Sequence, residues 1–165
     1  MVKASAGIMR WMEMRGLPVV IAGQGRKAGL VDDFYFQPGT NAIYALRIYT
    51  GILGHRALTT NAIQSIGRDA VVIANENMII EEGHDGQISQ YPLGHALIGY
   101  KVRSERGEDV GTVGNILLAT YPARALRIAA FDLASGRKGT FSANEITNYD
   151  RDVITIINQA AKGLT

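Results

Sequence analysis

Apolar and polar residues alternate along most of the chain with the two-residue period of β-strands. Glycine, proline and asparagine turn signals separate the alternating runs at intervals of roughly 8–15 residues. Short helical turns are expected around residues 8–14 and 59–66. In the first half, the predicted strands cover residues 18–21, 30–36, 43–50 and 70–74. The pattern therefore predicts an all-β fold with short helices.

The second predicted strand contains a break in alternation. Val31 and Phe34 are both expected to point inward, although they are three positions apart, and Val113 and Ile116 show the same spacing in the second half. One extra residue at such a point forms a β-bulge, which bends the strand. Bent strands suit a small closed sheet, so the pattern favours β-barrels.

The chain repeats itself. Residues 25–31 and 107–113 share glycines at an offset of 82, and residues 63–75 and 146–158 share five identical residues at an offset of 83. Two blocks in the same order indicate an internal duplication. We predict a first domain over residues 12–80, a linker over 81–93 and a second domain over 94–159.

The same four residues occur in a predicted strand of each half of the chain. Ala-Leu-Arg-Ile occupies residues 45–48 and again residues 125–128. On this alignment Leu46 and Ile48 point inward, while Arg47 and Tyr49 point outward. Units of this size bury a modest fraction of their surface, so we expect the two barrels to pack together or the chain to form a homodimer.

Composition restricts the class of protein. The chain of 165 residues has a net charge of +2 and no cysteine. This excludes disulfides and thiolate chemistry, and it suits a cytoplasmic location. The amino-terminal residues Lys3, Arg10, Glu13 and Arg15 interrupt any apolar core of a signal peptide, and no segment has the length of a membrane span.

Several of these residues together resemble the PRC-barrel family. They are residues 15–20, Gly29 with Val31 and Asp33, residues 45–48, and Ile63 with the segment 66–71. The resemblance covers most of residues 12–75 and is weaker over 97–158, where Asn115 replaces the aspartate. The motif is glycine-rich and apolar, so it specifies a fold more firmly than an activity.

The resemblance implies a fold of two tandem small antiparallel PRC-type β-barrels. It also implies a non-enzymatic adaptor or scaffold that binds protein partners, located in the cytoplasm or peripheral to a membrane complex. Family members include the H subunit of photosynthetic reaction centres and a ribosome maturation factor. An RNA- or ribosome-associated role is therefore the alternative, although a binding site for nucleic acid is not favoured, and a small-ligand or metal-linked activity is a further alternative.

The usual signatures of cofactor sites and catalysis are weak. Gly23, Gly25 and Gly29 follow an apolar strand but precede another strand, whereas a dinucleotide site needs a helix there. His55, His84 and His95 lack the spacing of a helical metal site. Asp32 and Asp33 have basic neighbours and are expected to form local pairs. We therefore expect no enzyme activity, no cofactor and no metal.

Two groups of residues remain as candidates for a role. Arg47, Tyr49, Arg127 and Phe131 combine arginine and aromatic side chains, which are enriched at protein interfaces, and form a candidate protein-binding surface. The repeated pairs Arg68–Asp69 and Arg151–Asp152 precede a β-branched strand in each unit. Because aspartate is a common turn former, we interpret these four residues as structural turns. Trp11 is expected to pack beneath the first barrel.

Overall fold

The computed structural model describes residues 7–165, so Lys3 and the rest of residues 1–6 lie outside the described part. The chain is mostly strand, and short 3-10 turns link several strands. Its elements are β1 (Ile8–Arg10), α1 (Trp11–Met14), β2 (Pro18–Ile21), β3 (Lys27–Phe36), β4 (Ile43–Tyr49), β5 (His55–Thr59), β6 (Ile63–Ile66), β7 (Val71–Ile73), β8 (Lys101–Ser104), β9 (Asp109–Ala119), β10 (Arg127–Gly136), β11 (Thr140–Ser142), β12 (Ile146–Asp150), β13 (Val153–Ile156) and α2 (Asn158–Lys162). The predicted all-β fold with short helices is confirmed.

The strands form two sheets with the same connectivity. The first has the order β5-β4-β3-β2-β7-β6, and the second has the order β11-β10-β9-β8-β13-β12, with β1 added alongside β9. Most neighbours are antiparallel, as predicted. In each sheet one pair is parallel, β2 with β7 and β8 with β13. This pair joins the first strand of a unit to its last one, which the chain reaches only after circling the sheet.

Each sheet is curled so that its two edges approach each other. The edge strands β5 and β6 are separated only by Thr60–Ala62, a 3-10 turn within the segment expected to be helical. Six strands about 4.8 Å apart would place the edges of a flat sheet about 24 Å apart. Three linking residues span at most about 14 Å, so the sheet cannot be flat. Ala143–Glu145 imposes the same curl on the second sheet.

The strand registers establish which residues correspond between the units. Val19 pairs with Gly29 and Val71, and Val102 pairs with Gly111 and Ile154 in the same arrangement. The predicted bulges are present, because the register shifts between Val31 and Asp33 and again beside Val113. A side chain on Gly29 would meet Ile48 and the carbonyl of Tyr49, which explains a glycine at this position.

The identical residues at 45–48 and 125–128 do not occupy equivalent positions in the two sheets. Asp33 lies opposite Arg47, whereas Asn115 lies opposite Asp132. Arg47 therefore corresponds to Asp132, and Leu46 corresponds to Phe131. Residues 125–128 instead lie just before and at the start of β10, so the shared residues do not mark equivalent positions.

The two units pack together around one continuous core. Apolar side chains from both sheets belong to a single buried cluster. At the junction, Ile43 N donates to Leu126 O at 3.1 Å and Ile128 N donates to Asn41 O at 2.9 Å. The Tyr149 hydroxyl donates to Asn41 Oδ1 at 2.6 Å. The interface between the units is therefore both apolar and hydrogen-bonded.

The segments that precede the two units are exchanged between them. β1 precedes the first unit but pairs with β9 of the second. Leu93 precedes the second unit but forms a bridge with Tyr35 of the first. Trp11 follows β1 and is buried, with its ring 4.9 Å from that of Phe34, in agreement with the expected packing against the first barrel.

Residues 81–93, interpreted from the sequence as a linker, pack against the outer face of the first sheet. We call this segment the cap. Its Ile88 is buried against Tyr35, Ala45 and Ala57. The Tyr44 hydroxyl donates to Asp85 Oδ2 at 2.6 Å. The segment joins the units in chain order, but it also covers apolar surface.

The remaining helical segments are short. The carboxyl-terminal residues form α2, whose Ala160 and Ala161 are buried, as is Leu164 beyond it. Within residues 7–165, no helix is long and apolar enough to cross a membrane.

Candidate protein-interaction surface

The hairpin of β4 and β5 ends in a rigid tip. Thr50 bonds to Gly54 O through both its backbone N, at 2.8 Å, and its hydroxyl, at 2.7 Å. Gly51 and Gly54 both have φ of 76°, a region that favours glycine. These contacts hold the backbone of Ile52 and Leu53 in a single protruding turn.

Two large aliphatic side chains on this tip face solvent. Ile52 is 102% exposed and Leu53 is 66% exposed. We call this pair the hairpin tip. No role was predicted for these two residues from the sequence. Two adjacent aliphatic residues in a turn bounded by glycines do, however, indicate an exposed apolar site.

The corresponding turn of the second unit lacks such residues. Between β10 and β11 it contains only Arg137, Lys138 and Gly139, and the carboxyl-terminal residues cover it. Thr165 N donates to Lys138 O at 3.0 Å, and Leu164 packs against Gly139. The turn between β10 and β11 therefore has no exposed aliphatic residues that correspond to Ile52 and Leu53.

A hydrogen-bonded network lies beside the tip on the outer face of the first sheet. His55 Nε2 is 3.1 Å from Asp32 Oδ2, and Arg47 Nη2 is 3.0 Å from His55 Nδ1. Because a guanidinium can only donate, Nδ1 accepts, and Nε2 carries the hydrogen donated to Asp32. The ring of Tyr49, 45% exposed, is 5.6 Å from that of His55. We call these four residues the hairpin face; the cap leaves them uncovered.

The structure separates the four residues of the predicted interface. Arg47 and Tyr49 both belong to the hairpin face. Arg127 is exposed but lies at the junction of the units, where it forms a bridge with Ala42 and donates to Ala125 O at 3.3 Å. Phe131 was assigned to the surface wrongly. It is 0% exposed and stacks on Phe141, because it occupies the inward position equivalent to Leu46.

Asp33 is a buried carboxylate that sequence analysis treated as part of a local pair. Its Oδ1 accepts hydrogen bonds from Phe34 N at 2.8 Å and His95 N at 3.1 Å, and its other oxygen contacts the His95 ring. At the equivalent position Asn115 accepts from Ile116 N. This carboxylate therefore fixes the bulge and anchors the segment that leads into the second unit.

The residues interpreted as structural turns do lie in turns. Arg68 and Asp69 form an exposed bend between β6 and β7, closed by Gly67 N donating to Ala70 O at 2.9 Å. Arg151 and Asp152 form the exposed turn between β12 and β13. Asp152 has φ of 64°, which aspartate tolerates better than most residues.

The other polar residues considered from the sequence have structural neighbours. Gly23 and Gly25 lie in the turn between β2 and β3, Gly29 lies within β3, and no helix follows them. Arg26 pairs with Glu76 at 2.9 Å, and His84 lies 3.7 Å from Glu81. In the part of the chain that the structure describes, no group of three or more histidine, aspartate or glutamate side chains could hold a metal ion.

The clearest pKa shifts belong to groups that fasten the cap and the unit interface. The hydrogen bond to Asp85 raises the pKa of Tyr44 to about 12, and the same bond lowers the pKa of Asp85. Burial raises the pKa of Glu82, which accepts from the Tyr35 hydroxyl, and burial also raises the pKa of Tyr149. These shifts therefore report packing contacts.

A groove of about 440 Å³ opens beside the hairpin tip, and we call it the tip groove. Ala28, Leu53, Ile79 and Ile80 supply its apolar lining. Glu81 at its rim pairs with Arg56 at 3.6 Å. The groove thus combines aliphatic side chains with charged ones, and among the described residues the buried Nε of Arg56 has no hydrogen-bond partner.

A comparison with protein families found a match to the first unit. Residues 7–78 match the PRC-barrel domain. This PRC-barrel match contains β1 to β7 and hence both the hairpin face and the hairpin tip. The comparison with curated proteins found no match to the chain.

Proposed function

We propose that this protein is a non-enzymatic adaptor made of two tandem PRC-type barrels, which binds a protein partner through the hairpin face. The identical strand order and equivalent registers of the two units support a second PRC-type copy. The family match in the first unit supports a small barrel module.

The observation that carries the proposal is the hydrogen-bonded network of the hairpin face. Arginine and tyrosine are enriched among residues that dominate binding energy at interfaces. Here Asp32 and His55 already orient Arg47, so less conformational entropy is lost when a partner binds. The cap covers the neighbouring apolar part of the sheet and ends before this network.

The proposal of a non-enzymatic role rests on the arrangement of titratable groups. Catalytic sites usually gather groups with shifted pKa values in one cleft. Here Tyr44 with Asp85 fastens the cap, Glu82 belongs to the cap and accepts from the Tyr35 hydroxyl, and Tyr149 lies at the junction of the units. Packing explains each of these shifts without a substrate.

The test compares the binding partners of matched variants of the full chain. Arg47→Ala with Tyr49→Ala removes the arginine and the tyrosine of the hairpin face. Arg127→Ala with Tyr121→Ala removes the same residue types from exposed positions elsewhere. We expect the first double variant to weaken binding to the captured partner by at least about tenfold, or about 1.4 kcal/mol, and the second to leave it unchanged.

Nuclease treatment separates the protein-binding role from the RNA-associated alternative. A partner that remains bound after nuclease treatment and is lost only with the hairpin-face variant supports the adaptor. Loss of all bound material after nuclease treatment would instead support a ribosome- or RNA-associated factor. If both double variants capture the partner equally well, the hairpin face is not the binding site.

A further inference from the structure

The hairpin tip is an apolar feature with no function inside its own molecule. Ile52 is fully exposed, and Leu53 keeps two-thirds of its surface in solvent. Isolated exposed aliphatic residues are common, but two adjacent ones on a rigid protruding turn present a preorganised contact. The shorter turn of the second unit shows that the barrel does not need them.

The tip groove is suited to an aliphatic side chain. Ala28, Leu53, Ile79 and Ile80 offer it apolar contacts, and the volume of about 440 Å³ exceeds that of a single side chain. Two carboxylates of its lining are already in ion pairs, Glu81 with Arg56 and Glu76 with Arg26, so an inserted aliphatic group would not have to separate either carboxylate from its cation. The groove therefore accepts an apolar side chain at low electrostatic cost.

The tip and the groove adjoin each other on one surface, because Leu53 belongs to both. A surface that carries a projection next to a matching recess is self-complementary under a two-fold rotation. From this juxtaposition we propose that the chain forms a symmetric homodimer in which Ile52 of each copy enters the tip groove of the other. The two insertions occur together and close the assembly at two copies.

Charge at the edge of the groove fits a second copy. Lys27 is exposed beside Ala28 and has no ion pair within residues 7–165, while the carboxylates of Glu76 and Glu81 remain more than half exposed. A second copy docked on this surface brings its own Lys27 to the same region as these carboxylates. This dimer leaves the hairpin face uncovered, so each dimer presents two copies of that face to a protein partner. The dimer and the adaptor role are argued from different residues.

The first experiment measures the mass of the full chain by light scattering and analytical centrifugation over a range of concentrations. We expect a dimer for the unmodified chain and a monomer for Ile52→Asp, which cannot damage the core because Ile52 contacts solvent only. Tyr121→Asp is the matched control, since Tyr121 is 81% exposed at another place, and it should remain dimeric. Circular dichroism checks that both variants are folded.

The second experiment tests which surfaces meet. The chain has no cysteine, so single cysteines can be introduced without background. Ile52→Cys and Asn77→Cys, the latter at the groove, should form a disulfide-linked dimer when the two variants are mixed and oxidised. Each variant alone should cross-link much less.

Three results would overturn the proposal. They are a monomeric unmodified chain at all concentrations, a dimer that survives Ile52→Asp, and self-cross-linking of Ile52→Cys in preference to the mixture. A monomer that floats with anionic vesicles, and loses this property with Ile52→Asp, would assign the tip to lipid instead. The variants Arg47→Ala and Tyr49→Ala should leave the dimer intact, so the dimer and the adaptor role can fail separately.

Discussion

At the scale of single residues, two residues of the same type can have different roles because they occupy different positions in the sheet. Asp33 and Asp32 are neighbours in sequence, yet Asp33 is 3% exposed and binds backbone amides, whereas Asp32 orients His55 on the surface. The β-bulge in β3 makes the side chains of these two aspartates point in different directions. Phe131 and Tyr49 are both aromatic residues of the same repeated strand, but they face opposite sides of their sheets.

The turn at Asp152 gives a prediction at this scale. Asp152 adopts a positive φ, whereas Asp69 at the equivalent position does not. Asp152→Val should lower the free energy of unfolding by about 1–2 kcal/mol, because a β-branched residue fits the left-handed region poorly. Asp69→Val is the control and should change stability by less than about 0.5 kcal/mol. Urea unfolding monitored by fluorescence measures both, and equal effects would contradict this explanation.

At the scale of elements, the cap is held by one buried side chain and a few hydrogen bonds. Ile88 supplies the apolar contact, and Tyr44, Tyr35 and Gln37 bind Asp85, Glu82 and Tyr91. The cap should therefore open more readily than the strands beneath it. Its hydrogen bonds place carboxylates in contact with tyrosine hydroxyls, which makes its stability depend on pH.

The bond between Tyr44 and Asp85 provides the test at this scale. At neutral pH, Tyr44→Phe should lower the free energy of opening the cap by about 0.5–1 kcal/mol, measured by hydrogen exchange of the Gln87 amide. Tyr49→Phe is the control, since its hydroxyl has no hydrogen bond within the described residues. Unchanged exchange in Tyr44→Phe would show that the bond between Tyr44 and Asp85 does not help to hold the cap.

The sign of the pH dependence follows from the same contacts. The folded pKa of Asp85 is lowered, so its contribution to stability is present above the unfolded pKa and is lost as the pH falls through the folded pKa. Glu82 has a raised pKa, so its contribution is present below the unfolded pKa and is lost as the pH rises through the folded value. The difference in cap opening between the unmodified chain and Tyr44→Phe isolates Asp85. It should be largest above about pH 5 and shrink below about pH 4.

At the scale of the whole molecule, the two units depend on each other. They share one core, exchange their preceding segments, and meet through the hydrogen bonds of Asn41. Each unit by itself would expose much of this shared surface. We therefore expect the two units, which have the same strand order, to unfold together.

Cooperative unfolding is the prediction for the whole molecule. We expect one calorimetric transition whose calorimetric and van 't Hoff enthalpies agree. Tyr149→Phe removes the bond to Asn41 and should lower the midpoint of that single transition without splitting it. Two separate transitions, or a variant in which only one half melts earlier, would show that the units are independent.

The sequence by itself determined the features that local patterns encode. Alternation, turn residues and bulge spacing predicted an all-β fold, the bulges in β3 and β9, and the turns at residues 68–69 and 151–152, because each depends on neighbours a few positions away. The correspondence between residues 63–75 and 146–158 was also visible, since these segments occupy equivalent strands of the two sheets. The one misalignment, at residues 125–128, arose where the two connections differ in length and identical letters coincide by chance.

Only the tertiary structure decided which distant segments cover each face. Residues 81–93 are as polar as a solvated linker, yet they pack on the first sheet because Ile88 and two tyrosine–carboxylate bonds attach them there. Burial of Asp33, the exchange of β1 and the isolation of Ile52 depend in the same way on contacts between residues far apart in the chain. Composition and periodicity record the tendency of a residue to be buried, but not the partner that buries it.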